Sequence, residues 1–458
     1  MIYILITIFS LFFLWLSWYK INWAVALTIF AMPAYLLRFK IAFMPMTILE
    51  VMVLILFIVW LVKVLQKKEK ITLSNYKWWG FFFLLAAVSA VLVSVDLFSS
   101  LGVWKAYFLE PIMFFVVFIN TIKKKKDWKL VIYALGASAL FVAIPAIVQK
   151  FTGIGIVNEF WRAEETRRVT SWYGFPNAVG LYLAPIAMLF CGLIMQSKIR
   201  IFEKLKEGKF KIKKLDIFYF VVFICSALAI YFAKSEGAII GLVAGLLFLG
   251  LIYPYKITRR STLVLLVLLV SLVLLFPLLR NYTSEKFTLS DRSGQIRQQQ
   301  WRETNEMLDD GRMLLGAGLS SYQTVVAPYH VEAIWIEDKT DAEWLDKIQT
   351  SEEFRVQMWQ PLEIYMYPHN IILNFWSEIG LLGVFITVVL LLKFFMNYWR
   401  VKSSENRNMY LILLAVFAVI LVHGFVDVPY FKNDLSLLWW LFFAMSWVLI
   451  KRKKILYD

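Results

Sequence analysis

The chain is short of the residues on which most soluble enzymes build a site. Of its 458 residues, 3 are His and 2 are Cys. The histidines, His330, His369 and His423, lie far apart and show no metal-ligand spacing, so no metal is expected. Cys191 and Cys225 both fall inside apolar runs and imply no disulfide framework. No Gly-x-Ser-x-Gly elbow is present. Gly316-Ala317-Gly318 lacks the strand and the lysine of a nucleotide loop, which excludes an ATP site. There is no internal repeat of clear period and no low-complexity tract.

What is present is apolar surface. The sequence is 60% hydrophobic and 17% aromatic, with a mean hydropathy of +0.68. A soluble core needs apolar content near half. Windows of about 20 apolar residues, each able to cross about 30 Å of hydrocarbon, recur from end to end. They fall near 2–19, 21–38, 44–65, 77–95, 99–121, 128–150, 175–196, 216–233, 237–254, 262–279, 371–393, 409–427 and 435–450. The expected fold is therefore an all-α polytopic membrane protein of about 12–13 spans, the first two being the least separated. The first run lacks a basic lead-in and a small-residue cleavage site and reads as a retained span.

The net charge of +16 does not point to nucleic acid. Basic residues cluster in short loops: Lys67-Lys68-Glu69-Lys70, Lys123 to Lys126, the 198–214 segment, Arg259-Arg260 and Lys451 to Lys454. Such clusters mark the cytoplasmic side. The alternation puts them on one face, with only Arg38 and Lys40 opposite, and makes the C-terminus cytoplasmic. Residues 281–370 break the pattern with 15 Asp and Glu against 8 Lys and Arg, a net of −7. An acidic insert of that length is expected on the extracytoplasmic face. The chain thus divides into about ten spans (1–280), a partly helical external loop domain (281–370) and C-terminal spans (371–458). Within the loop, 295–308 reads as a helix with Ser290 or Ser293 as its N-cap.

Several constellations carry polar groups to the outer span ends. In YPHNIILNFWSEIG (367–380), Pro368 suits a helix start, and Asn370, Asn374 and Glu378 follow at four-residue steps on one face. They read either as a cap and a helix–helix hydrogen-bond stripe, or as support for His369 acting as a general base. In the run from Asp291 to Gln323, Arg292 lies just before a helix starting at Ser293, and Arg297 sits in its first turn. Both suit an anion at a helix N-terminus; Arg302 belongs to a solvated face. Residues 167–185 place Arg167-Arg168 at an outer mouth before Phe175-Pro176-Asn177. Lys234 and Glu236 lie at the outer end of a span pair and read equally as an internal ion pair. His423 and Asp427 are four apart and can pair on one helix, with Lys432 in the following turn.

Taken in order, these pieces resemble the O-antigen ligase and Wzy-type polymerase family. The likeness is carried by Arg168 through Gly174-Phe175-Pro176-Asn177; Ser235-x-Gly237; Arg292, Arg297, Trp301 and Gly316-x-Gly318; and Pro368-His369-Asn370 with Leu373, Glu378-x-Gly380 and Gly383. His423 and Asp427 also fit, and the resemblance covers roughly 130–435. It implies a GT-C-like membrane glycosyltransferase of the bacterial inner membrane, without metal or nucleotide. Such an enzyme moves a glycan from a polyprenyl diphosphate carrier to a hydroxyl of a sugar, lipid-glycan or protein. It further implies that His369 acts on the acceptor hydroxyl while Arg168, Arg292 and Arg297 hold the diphosphate. Asn370, Glu378, Lys234, His423, Asp427 and Lys432 are supporting candidates. One departure stands out: the family has an arginine after the serine matching Ser235, where this chain has Glu236. On a regular helix the Lys234 side chain would point some 200° away from that arginine. A transporter or flippase of lipid-linked glycan is the alternative, and a sensor or scaffold a third. His330 is the rival base, in an acidic stretch of the loop.

Overall fold

The computed structural model describes residues 2–41, 44–69, 71–205, 213–338 and 341–452. Lys70, Lys206, Lys209, Lys211, Lys339, Lys453 and Lys454 lie outside the described residues. Eight helices are long and apolar enough to cross a membrane: Ile48–Leu65, Leu97–Thr121, Lys125–Thr152, Pro176–Ser197, Lys214–Phe232, Lys256–Leu275, Ile371–Val401 and Asn433–Lys451. Five shorter apolar helices join them: Tyr3–Tyr19, Ile21–Phe30, Lys77–Leu92, Glu236–Ile252 and Arg407–His423. Together they match, in order, the thirteen windows of the sequence. The fold is an all-α polytopic membrane protein, as a lipid environment that offers no partner for free backbone groups requires.

The boundaries depart from the apolar windows where the backbone cannot continue a helix. The second window runs to residue 38, yet its helix stops at Phe30. Pro33 has no N–H to donate, and the chain turns through Met32–Leu36 into a hairpin of Arg38–Ile41 with Met44–Thr47. Thr47 then caps the next helix, accepting from Glu50 N (3.2 Å) while the Glu50 carboxylate accepts from Thr47 N (2.9 Å). Pro111 acts similarly, and the preceding turn Lys105–Leu109 widens to a π-helix.

Inside the bundle, Asn433–Lys451 and Pro176–Ser197 are almost wholly buried, whereas Lys256–Leu275 has no buried residue. The core between is aromatic: Phe375 lies 5.1 Å from both Tyr430 and Phe431, and Phe394 4.3 Å from Phe417, centroid to centroid. Four of the basic segments meet at one end. Lys123 bridges to Glu69 (2.5 Å), Asn75 bonds Asn397 (2.9 Å), and Asn406 bonds the Arg452 carbonyl (2.5 Å).

At the opposite end the 281–370 insert is latched into a broken helix. Ile371–Met396 is helical except at Ile379 (φ −130°, ψ 16°) and Gly380 (φ 69°, ψ −178°). Loop backbone fills the break: Leu381 N donates to Leu314 O (3.0 Å) and Ala317 N to Ser377 O (2.6 Å). A Cβ at Gly380 would lie 2.2 Å from Leu314 O, so only glycine fits. The window 371–393 gave no sign of this break.

Candidate active site

The helix Arg292–Asp309 begins one residue earlier than the sequence suggests, with Asp291 and not Ser290 or Ser293 at its N-cap. Arg292 is therefore the first helical residue, exposed, with no side-chain partner among the described residues. Arg297, a turn and a half on, donates to Ser293 Oγ (2.8 Å). Across from it, the helix Glu236–Ile252 starts at Ser235. Neither N-cap side chain caps its helix, and both N-termini open on one cavity.

That cavity, of about 460 Å³, is cationic. Arg168, Lys234, Lys286, Arg292 and Arg297 line it against Glu236, Asp291 and Asp427. Lys286 engages two of the three carboxylates, Glu236 at 2.7 Å and Asp291 at 2.8 Å. This leaves two guanidiniums at the mouth of the Arg292–Asp309 helix, a third in Arg168, and Lys234. Arg168 is held by three acceptors: Ala233 O (2.9 Å), Asn177 Oδ1 (3.0 Å) and Lys234 O (3.2 Å). The neighbouring Arg167 turns away and donates to Arg162 O (3.0 Å) and Lys150 O (3.1 Å), a loop-holding role.

Two expectations are corrected here. Glu236 does not pair with Lys234; its partner is Lys286. Lys234 does not point away either, because it is not on a regular helix. It stands at φ 49° in the break between Lys214–Phe232 and Glu236–Ile252, so the helical angle does not apply, and it lines the same cavity as Arg168.

A second cavity, of about 300 Å³, adjoins the first. Arg168, Asn177 and Asp427 line both, so the two share a wall. His369 and Lys432 lie in the second, among Trp161, Phe175, Tyr365 and Phe431. The structure thus brings His369, Arg168, Arg292, Arg297, Lys234, Asp427 and Lys432 around one continuous pair of spaces. Among the described residues the Lys432 ammonium makes no hydrogen bond or close ion pair, and Asp434 lies within its electrostatic reach. His423 lines the first cavity with Nε2 3.8 Å from Asp427 Oδ2, beyond hydrogen-bond reach. Its position is fixed by close helix contact: a Cβ at Gly237 would come within 2.8 Å of the imidazole Cδ2. Gly241 and Gly245 continue that small-residue stripe against Val419.

His369 is positioned by residues the sequence did not single out for that task. Its Nδ1 lies 3.2 Å from Gln300 Oε1, and its ring stands edge-on to Tyr365 at 5.1 Å. Trp301 Nε1 donates to the Pro368 carbonyl (2.8 Å), fixing the residue before it. With the amide oxygen of Gln300 placed toward Nδ1, the contact suits the tautomer that is protonated there, which would leave Nε2 its lone pair. Burial lowers the imidazole pKa; Asp427 raises it, and Arg297 and Lys432 lower it further. The carboxylate expected behind His369 was Glu378, but Glu378 lies in neither cavity. It is buried two turns along the helix and accepts from Ser320 N (2.9 Å), holding the loop. Asn370 is the N-cap, accepting from Ile372 N (2.9 Å) and Leu373 N (3.1 Å). The rival base His330 is tied to Glu303 at 3.2 Å and lines neither cavity.

Sequence spacing alone could not reveal Gln300 or Lys286, because each reaches its partner through the tertiary fold. Residues 221–388 match a family model described as O-antigen ligase, a span that contains Lys234, Arg292, Arg297 and His369 but not Arg168 or Asp427. The match supports the resemblance to the O-antigen ligase and Wzy-type family, and with it a membrane glycan transferase in the broad sense. No curated protein matches the chain.

Proposed function

We propose that this protein transfers a glycan from a polyprenyl diphosphate carrier to an acceptor hydroxyl, with His369 as general base and Arg168, Arg292 and Arg297 as the diphosphate clamp. The observation that carries the reading is the shared wall: a cationic cavity and a histidine-bearing one meet at Arg168, Asn177 and Asp427. A diphosphate in the first would present its sugar carbon to a hydroxyl in the second.

The step balances as a direct displacement. His369 Nε2 takes the acceptor proton as the oxygen bonds to the anomeric carbon, while the bond from that carbon to the diphosphate oxygen breaks. Two negative changes follow, a more nucleophilic oxygen and a departing diphosphate, and the second is the larger demand. The guanidiniums answer it, Arg168 being preorganised by its three acceptors and Arg297 by Ser293, and a preorganised donor is worth on the order of 3 kcal/mol. Asp427 stabilises the imidazolium that forms. Displacement of this kind inverts the anomeric configuration.

Reconstitution with a defined carrier-linked oligosaccharide and candidate acceptors tests the proposal. The expected product is a glycan with inverted linkage and free polyprenyl diphosphate. Intact carrier-linked glycan that only changes leaflet would instead identify a flippase.

A further inference from the structure

At the end of the bundle opposite these cavities lies another space, of about 690 Å³. The helix Lys125–Thr152 joins the two ends: its last turn receives Arg167, and its first turns line this third cavity. Five lysines surround it, Lys20, Lys123, Lys124, Lys126 and Lys129, against Glu69 and Asp127. Both carboxylates are occupied. Glu69 takes Lys123 at 2.5 Å. Asp127 is buried, accepting from Asn22 Nδ2 (2.7 Å) and Lys124 N (2.8 Å). Among the described residues no carboxylate pairs with Lys20, Lys124, Lys126 or Lys129. Glu69 and Asp127 together offset two of the five lysines, so the cavity carries a net charge of +3, and the Asn22–Asp127 bond holds the elements that carry the lysines together. Converging exposed ammoniums on one concave surface favour an anion there.

The surroundings identify the anion's source. Tyr19, Trp23 and Tyr133 line the same cavity and are partly exposed, as aromatic rings at a membrane interface are. From Tyr19 an exposed apolar ridge, Trp15, Leu11, Ile8 and Ile4, runs along the first helix into the depth of the bilayer. Charge, interfacial ring and apolar ridge follow one another as phosphate, glycerol and acyl chain do in a phospholipid. We propose that this cavity binds the phosphate headgroup of an anionic phospholipid, with Lys20, Lys124, Lys126 and Lys129 as its ligands and the first helix as the track for an acyl chain. This assignment is independent of the transfer reaction.

The test uses the full chain in nanodiscs of phosphatidylcholine doped with phosphatidylglycerol, with retained lipid counted by native mass spectrometry. The variant K20Q/K124Q/K126Q/K129Q should weaken phosphatidylglycerol retention about tenfold. The variant K256Q/R259Q/R260Q/K402Q removes equal charge from exposed sites outside the cavity and should leave retention within about twofold of the parent. Equal loss in both, or loss in neither, overturns the proposal. Soluble glycerol phosphate or inorganic phosphate should not displace the lipid at millimolar concentration; displacement by either would make the site one for a free anion. Unchanged thermal unfolding in pure phosphatidylcholine shows that each variant is folded. Should the quadruple variant not fold, the single substitutions K124Q and K126Q decide, each with a partial loss expected and an unchanged retention contrary.

Discussion

His369 stands at φ 46°, a left-handed backbone conformation that costs a non-glycine residue about 1–3 kcal/mol. The fold holds it there through Trp301 on the preceding carbonyl and Gln300 on the ring. His369→Ala is expected to abolish transfer while leaving expression and thermal unfolding near those of the parent; a fully active variant would refute the base assignment. The pH dependence has a definite sign. Burial, Arg297 and Lys432 lower the imidazole pKa against the opposing pull of Asp427, so the neutral base persists below its usual value near 6.5. Activity is then lost as pH falls through that lowered value. Arg297→Gln removes a cation and should move the acid limb of kcat/KM to higher pH; Asp427→Asn should move it lower. Identical acid limbs in all three proteins would detach the titration from His369. Arg292→Lys keeps the charge but not the fork, and kcat/KM should fall about tenfold or more, equivalent to about 1.4 kcal/mol.

Among the elements, the broken helix Ile371–Met396 does the most to build the site. Its N-cap, Asn370, follows His369 at the second cavity, and its break at Gly380 takes the loop segment 314–318 as a substitute for its own missing bonds. Gly380→Ala should lower the thermal midpoint by several degrees and open the 311–320 region to protease, because its Cβ meets Leu314 O. Glu378→Ala should act in the same direction through a different bond: it removes the acceptor of Ser320 N, a loss of about 0.5–1.5 kcal/mol for a part-buried hydrogen bond. A protease pattern unchanged in both would show that the loop is held elsewhere. Sequence reading recognised the four-residue spacing of Asn370, Asn374 and Glu378 but not which neighbour each would meet. Asn370 became a cap and Glu378 a latch, while the carboxylate that shares the cavity with His369 is Asp427, more than fifty residues on.

For the molecule as a whole, the candidate site and the lysine cavity occupy opposite ends of one bundle, and the positive-inside rule predicts that the lysines face the cytoplasm. A single cysteine at Ser293, with Cys191 and Cys225 replaced, should label in intact cells with a membrane-impermeant maleimide. One at Lys124 should label only after lysis. The reverse pattern would invert the orientation and with it the face on which transfer occurs. Cells lacking the protein should accumulate carrier-linked glycan on the outer face, whereas accumulation on the inner face would favour a flippase.

Composition and apolar run length were enough to determine the membrane class, the order of the apolar helices and the position of the polar insert, because a bilayer allows few solutions for an unpaired backbone. The ordered motifs also singled out His369 and the three arginines, which the fold brings to two adjoining cavities. Tertiary structure alone decided their company: Lys234 turned inward at a break between helices, Glu236 was given to Lys286, and Gln300 was brought to the imidazole. Those pairings join residues up to 69 positions apart, as from Gln300 to His369. Hydropathy sets the depth and direction of a span, but the rotation and contacts of each helix are set by its packed neighbours.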